Sequence, residues 1–188
     1  MKEDASLLGY AILGLLERQP SSGYDLRKIF VLTPMWSYSD SPGAIYPALG
    51  RLEKSGLIRG RVEASAGLRR RKVFRLTAAG MEALKKWLRT PVSRDQVIRG
   101  MGELMLRFAF TDRVLGNAAA VRFLKDLERE LGSYVPTLRE FLESQRRPMT
   151  ISGQLALESG IRGYEAQLGW TKYAIARYAG KNKGGDSL

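Results

Sequence analysis

The sequence predicts a mainly α fold, with an N-terminal unit of helices bearing a two-stranded β-wing followed by an all-α C-terminal unit. Three observations carry this. Apolar residues recur at steps of three and four along most of the 188 residues, as they do in helices buried on one side. One pair of short alternating segments, 57–62 and 72–76, flanks the turn-rich Ala64-Ser65-Ala66-Gly67, the pattern of a β-ribbon. Pro91 and Ser93 mark a hinge between the halves. The expected division is residues 1–90, residues 91–180, and a glycine-rich charged tail over 181–188 without structure of its own.

The elements follow in order. Ser6 can accept from the amides of a helix start, and Leu8, Ala11, Ile12, Leu15 and Leu16 then recur at helical spacing until Pro20. Ser21 or Ser22 caps a second helix carrying Tyr24, Leu26, Ile29 and Phe30 as far as Thr33-Pro34, and residues 35–40 form a loop. Ser41-Pro42 offers a cap and a first-turn proline, whose missing amide hydrogen is harmless there. The third helix runs to about Ser55, burying Ile45, Ala48, Leu49 and Leu52, and Gly56 supplies the left-handed residue that ends it. The ribbon follows, with five basic residues among the seven from Arg69 to Arg75. Thr77 then caps a fourth helix with Met81, Leu84 and Leu88 on its inner face.

Beyond the hinge everything reads as helix. Ile98, Met101, Leu104, Met105 and Phe108 form one stripe between residues 95 and 110, and Thr111-Asp112 restarts the chain. Leu124, Leu127, Leu131, Tyr134, Leu138 and Phe141 then alternate steps of three and four, the period of a coiled-coil seam. Pro136 lies inside it, which predicts either a kink or two helices in place of one. After Pro148 the residues Leu157, Ile161, Tyr164, Leu168 and Ile175 repeat the pattern.

Composition narrows the chemistry. With 31 Lys and Arg against 19 Asp and Glu the net charge is +12, which attracts polyanions. The excess is uneven, 16 basic against 8 acidic residues up to Thr90 and 15 against 11 beyond it. There is no cysteine and no histidine, which removes disulfides, thiolate nucleophiles and the commonest general base and zinc ligands. No cofactor and no metal are expected. An enzyme would have to work through carboxylates such as Glu103, Glu128 or Glu158, and no phosphate-cradling loop or paired acidic motif supports one. The uncharged stretch 5–16 is too short to span a bilayer and follows Lys2-Glu3-Asp4, so no membrane segment or leader is expected and the cytoplasm is the default location.

Three helices, a reversal and a basic ribbon make a winged helix-turn-helix. In that fold the third helix enters the major groove of DNA while the ribbon tip neutralises phosphates. The string Gly23-Tyr24-Asp25-Leu26, then Ser41-Pro42-Gly43-Ala44-Ile45-Tyr46-Pro47-Ala48-Leu49-Gly50-Arg51-Leu52-Glu53-Lys54-Ser55-Gly56-Leu57-Ile58, then Arg71-Lys72-Val73-Phe74-Arg75-Leu76-Thr77-Ala78-Ala79-Gly80, resembles the PadR family of regulators. The resemblance spans about Leu7 to Leu88, and the helical remainder resembles the larger dimerisation region of one PadR group. Two positions depart from the family pattern: Phe74, where many relatives carry tyrosine, and Gly50, where a polar residue is usual.

What the resemblance implies is a homodimeric transcription regulator, a repressor on an inverted-repeat operator, relieved or not by a small-molecule effector. It places Tyr24, Ser41, Gly43, Tyr46, Pro47 and Arg51 near DNA and Arg69, Arg70, Arg71 and Lys72 on the wing. Four of these have a bland alternative: Tyr24 fixing the second helix against the third, Tyr46 half-buried in packing, Gly43 serving only a turn, the basic run being a solvated hairpin. The dimerisation residues are expected to be Met105, Leu124, Leu127, Leu131, Leu138 and Leu168, the alternative being an internal bundle core. Regulators of this kind sometimes bind flat aromatic ligands between subunits, and Trp87 and Trp170 fall where such a space would lie. Core packing is the better explanation for both, and for Trp36, so no effector site is assigned. The alternative function is non-specific nucleic-acid binding through the same basic surface.

Overall fold

The computed structural model describes residues 5–33, 43–63 and 70–183. The chain divides into two compact units, residues 1–90 and 91–188. The first contains α1 (Leu7–Arg18), β1 (Ser21–Ser22), α2 (Gly23–Leu32), α3 (Ile45–Lys54), β2 (Ile58–Glu63), β3 (Arg71–Leu76) and α4 (Ala78–Leu88).

Local chemistry sets the boundaries. The Ser6 hydroxyl accepts from the Gly9 amide at 3.2 Å and starts α1. Ser22 and Asp25 cap α2 reciprocally, the serine hydroxyl accepting from the Asp25 amide while the carboxylate accepts from the Ser22 amide. Gly56, at φ 72°, ends the turn after α3 in the left-handed conformation that glycine adopts without strain. Thr77 caps α4, its hydroxyl accepting from the Gly80 amide at 3.0 Å. The core gathers Ile12, Leu13, Leu26, Phe30, Ile45, Leu49, Ile58 and Leu84, all nearly inaccessible to solvent. Trp87 is buried and stacked on Tyr10, with ring centroids 4.5 Å apart.

Two expectations change here. The ribbon is not two-stranded: β1 pairs antiparallel with β3, Ser21 opposite Phe74 and Ser22 opposite Val73, giving a three-stranded sheet in the order β1-β3-β2. Two buried serines are too short a strand to show alternation. The third helix begins at Ile45 with no side-chain cap. Ser41-Pro42, the expected start, lies outside the described residues, and Pro47 is the proline of the first turn.

The second unit is a bundle of α5 (Arg94–Arg99), α6 (Met101–Leu115), α7 (Asn117–Gln145) and α8 (Ile151–Lys183). The single stripe expected over 95–110 is interrupted at Gly100, which ends α5, and Ile98 is exposed. The helix does not restart at Thr111-Asp112. It continues to Leu115, with Thr111 buried and its hydroxyl bonded to the Arg107 carbonyl, and the break falls at Gly116, φ 85°. Pro136 neither divides nor ends α7, which is one helix of 29 residues. Its missing amide hydrogen removes one bond of the ladder, while neighbouring hydroxyls bond the ladder's carbonyls, Thr137 to Ser133 and Ser133 to Glu130. At the C-terminal end α8 reaches Lys183, into the expected tail, and residues 184–188 lie outside the described residues.

The largest correction concerns the seam. Leu124, Leu127 and Leu131 are each 0% exposed within a single chain. Leu127 and Leu131 pack with Val92, Val97, Leu104 and Phe123, and Met105 and Leu168 lie against the same cluster. Leu138 is half-buried. The alternation of three and four records burial against another helix, and here α6 and α8 of the same chain supply it. Leu124, Leu127 and Leu131 are thus covered within the single chain, whereas Met105, Leu138 and Leu168 remain partly exposed. Tyr164 ties α8 to α5 through the Ile98 carbonyl at 3.2 Å. Burial and the Asp112 carboxylate push the Tyr178 hydroxyl up to about 12.

Candidate nucleic-acid interface

The buried stripe of α3, Ile45, Ala48, Leu49 and Leu52, leaves Tyr46, Pro47, Gly50, Arg51 and Lys54 facing solvent. Gly43, just before the helix, is also exposed. Tyr46 is 56% exposed, yet one edge of its ring lies against the first turn of α2, where a Cβ on Gly23 would stand 2.7 Å from Tyr46 Cε1. The ring therefore packs along one edge while the rest of the side chain faces solvent. Tyr24 does not fix α2 against α3: it is 61% exposed, with the Lys28 ammonium 5.7 Å from its ring centroid.

The wing stands beside this surface. Arg70, Arg71 and Lys72 are exposed, whereas Arg69 and Ser41 lie outside the described residues. Arg71 pairs with Asp25 at 3.6 Å. Since Gly23 meets Tyr46 and Asp25 meets Arg71, the same turn of α2 touches both the third helix and the wing. Lys72 is not a free cation: its ammonium donates to Glu53 of α3 at 2.6 Å.

The carboxylates are tuned accordingly. Asp25 sits below its ordinary pKa, chiefly through the bond from the Ser22 hydroxyl, with Arg71 and Lys28 adding to it. Glu53 is lowered first by the Lys72 bond and further by the Gly60 amide. Both bonds favour the charged form.

Sequence reasoning missed Asp25, Glu53 and Gly60 as parts of this surface, and it also missed a second basic cluster. Arg59, Arg61 and Arg75, with Gly60, line a cavity of about 420 Å³, and Arg75 is paired with Glu63 at 2.9 Å. The alternation of β2 was the available signal, since it puts Arg59 and Arg61 on one face, and Arg59 is directly opposite Arg75. Among the described residues no group of acidic side chains could hold a metal ion, and no helix is long and apolar enough to cross a membrane. Trp87 is consumed by its stack on Tyr10 and Trp170 packs edge-on against Phe108, while Trp36 lies outside the described residues.

Residues 12–86 match the model of the transcriptional regulator PadR-like family. The chain is 28% identical over 184 residues to the negative transcriptional regulator PadR of Bacillus subtilis (strain 168), covering 90% of this chain and 96% of that protein. Among solved structures it is similar to Bacillus subtilis PadR in complex with operator DNA, at 25% identity and TM-score 0.43, covering 91% of this chain and 98% of that one. It is also similar to a PadR-like transcriptional regulator from Bacillus cereus, at 27% identity and TM-score 0.40, covering 90% and 94%. A third is Bacillus subtilis PadR in complex with p-coumaric acid, at 25% identity and TM-score 0.42, covering 95% and 99%. The motif of the third helix and the basic residues of β3 both fall within residues 12–86, the part of the chain that matches the transcriptional regulator PadR-like family.

Proposed function

We propose that this chain is a transcription regulator of the PadR type, a repressor that binds an inverted-repeat operator in the cytoplasm as a homodimer, each copy laying α3 in a major groove with its wing on the adjacent backbone. The observation that carries the reading is the shared support of the two parts: Tyr46 rests on Gly23, Arg71 pairs with Asp25 two residues on, and Tyr46, Pro47, Arg51 and Arg70 are all exposed. Base edges fall to the start of α3, phosphates to Arg70, Arg71 and Tyr24. Occlusion of a promoter follows from such binding, in keeping with the negative regulator it resembles.

Pairing of two copies falls to the second unit. Its exposed apolar side chains Phe141, Ile151, Leu155 and Tyr173 offer the surface that the buried leucines do not. The reading includes relief by a small aromatic effector.

Binding to a duplex across salt concentrations tests the proposal. Each phosphate neutralised contributes about −0.9 to the slope of log K against log salt, so a strong, salt-steep affinity is expected. Weak or salt-insensitive binding refutes it. Equal competition by random duplex and by an inverted repeat selected from a random pool replaces it with non-specific nucleic-acid binding. Sedimentation of the free chain as a monomer at micromolar concentration removes the homodimer.

A further inference from the structure

One carboxylate joins three elements. Glu53 stands in the last turn of α3, and its oxygens divide their bonds. Oε1 accepts from the Gly60 amide of β2 at 3.0 Å, and Oε2 accepts from the Lys72 ammonium of β3 at 2.6 Å. Lys72 lies opposite Val62, two residues along from Gly60, so it must lean diagonally across β2 to arrive. It can do so because Gly60 has no side chain. A Cβ there would stand 2.2 Å from Lys72 Cε, 2.8 Å from Glu53 Oε1 and 3.0 Å from Phe74 Cε1. Gly60 has no positive φ, so the backbone does not require glycine at this position, and the space above it does. The Lys72 ammonium also stands 5.2 Å from the Phe74 ring centroid, a second attraction holding it in the same place.

We propose that Lys72 is a positioning residue, latching the wing to the third helix through Glu53 across the gap at Gly60, and is not a phosphate contact. The inference rests on the DNA-binding reading above and assigns within it which wing cations reach the duplex. To reach a phosphate Lys72 would have to abandon a short charge-assisted bond and leave the Glu53 carboxylate uncompensated beside an approaching polyanion. Held as it is, it fixes the angle between wing and helix, so that Arg70 and Tyr46 meet one duplex together. Pre-set geometry of this kind raises affinity without adding a contact.

The salt slope separates positioning from contact, because it counts phosphates neutralised. The chain and its R70Q, K72Q, E53Q, G60A and E53Q/K72Q variants are titrated with a duplex selected from a random pool by the wild type, over 50–300 mM salt. R70Q should flatten the slope by about 0.9, one phosphate. K72Q, E53Q and G60A should each weaken binding about tenfold with the slope unchanged, and the double variant should be no weaker than either single. Slope loss in K72Q equal to that of R70Q overturns the latch, as does tighter binding by E53Q or wild-type binding by G60A. Amide hydrogen exchange of β2 in the free chain is the second readout, since K72Q and E53Q must both accelerate it. If the wild type binds no duplex the DNA-binding reading fails, and unchanged exchange in both variants then sinks the latch independently.

Discussion

Replacing Gly80 with alanine sets two physical effects against each other, and the structure says which wins. Gly80 lies in the first turn of α4, where helix propensity alone favours alanine by about 1 kcal/mol. Against this, a Cβ at Gly80 would stand 2.0 Å from the Leu57 carbonyl oxygen and 2.8 Å from Leu76 Cδ1, and the first of these is backbone that cannot rotate away. The same carbonyl accepts from the Thr77 amide at 3.1 Å and from the Thr77 hydroxyl at 2.9 Å. Relieving the clash therefore drives the start of α4 off the turn after α3 and disturbs the cap at Thr77. Overpacking of this kind costs about 1–3 kcal/mol and a lost cap about 1, leaving G80A about 1–3 kcal/mol less stable after the propensity gain. For a unit of this size that is a fall in Tm on the order of 10 °C. Urea and thermal unfolding, followed by the fluorescence of the buried Trp87, measure it. A G80A chain as stable as the wild type, or more stable, would refute the close approach of α4 to the turn.

Three further predictions concern the core and the charges. L127A should destabilise the second unit by about 3 kcal/mol, independently of protein concentration. A loss that appears only on dilution would return Leu127 to a subunit interface. The folded pKa values of Asp25 and Glu53 are lowered, so their contribution is present above the ordinary carboxylate range of about 4 and vanishes as pH falls through the depressed values. The D25N/E53Q chain should consequently lose less stability than the wild type between pH 5 and 3, and parallel urea midpoints would contradict the bonds drawn to both groups. Arg107 is 0% exposed, its guanidinium 5.3 Å from the Phe123 ring centroid and its pKa lowered by burial. R107M, which keeps the stem and removes the buried charge together with its bond to Gln96, should lose less stability than R107A, whose loss should be about 3 kcal/mol. Equal losses in the two variants would make the charge, and not the packing, the reason for the residue.

Legibility followed the range of the interaction. Caps at Ser6, Ser22 and Thr77 and the left-handed Gly56 depend on neighbours within a few residues, and all could be read directly. The amphipathic third helix was equally plain, because four buried positions at helical spacing leave one choice of face. What depends on a distant partner was hidden. A period of three and four does not say whether the covering helix belongs to the same chain, so Leu124, Leu127 and Leu131 pointed outward in the reading and inward in the structure. Lys72 looked like one more wing cation because only the strand register brings it over Gly60 to Glu53. A glycine inside an alternating strand was the available clue, since it marks either a bulge or the close approach of another group. Gly116 gave no such warning, and the apolar stripe hid the interruption at Gly100.

The central claim is that α3 and the wing meet one duplex side by side, and the absence of cysteine from the chain allows it to be tested by single attachment. An iron chelate that cleaves DNA locally is fixed to R51C and, separately, to R70C, each bound to a selected inverted-repeat duplex. The account predicts cleavage from R51C centred on a major groove of each half-site, and cleavage from R70C in the neighbouring groove on the same face of the helix, within about one turn of 10 base pairs. Cleavage from R51C with none from R70C, or cuts from the two positions on opposite faces of the duplex, would contradict it.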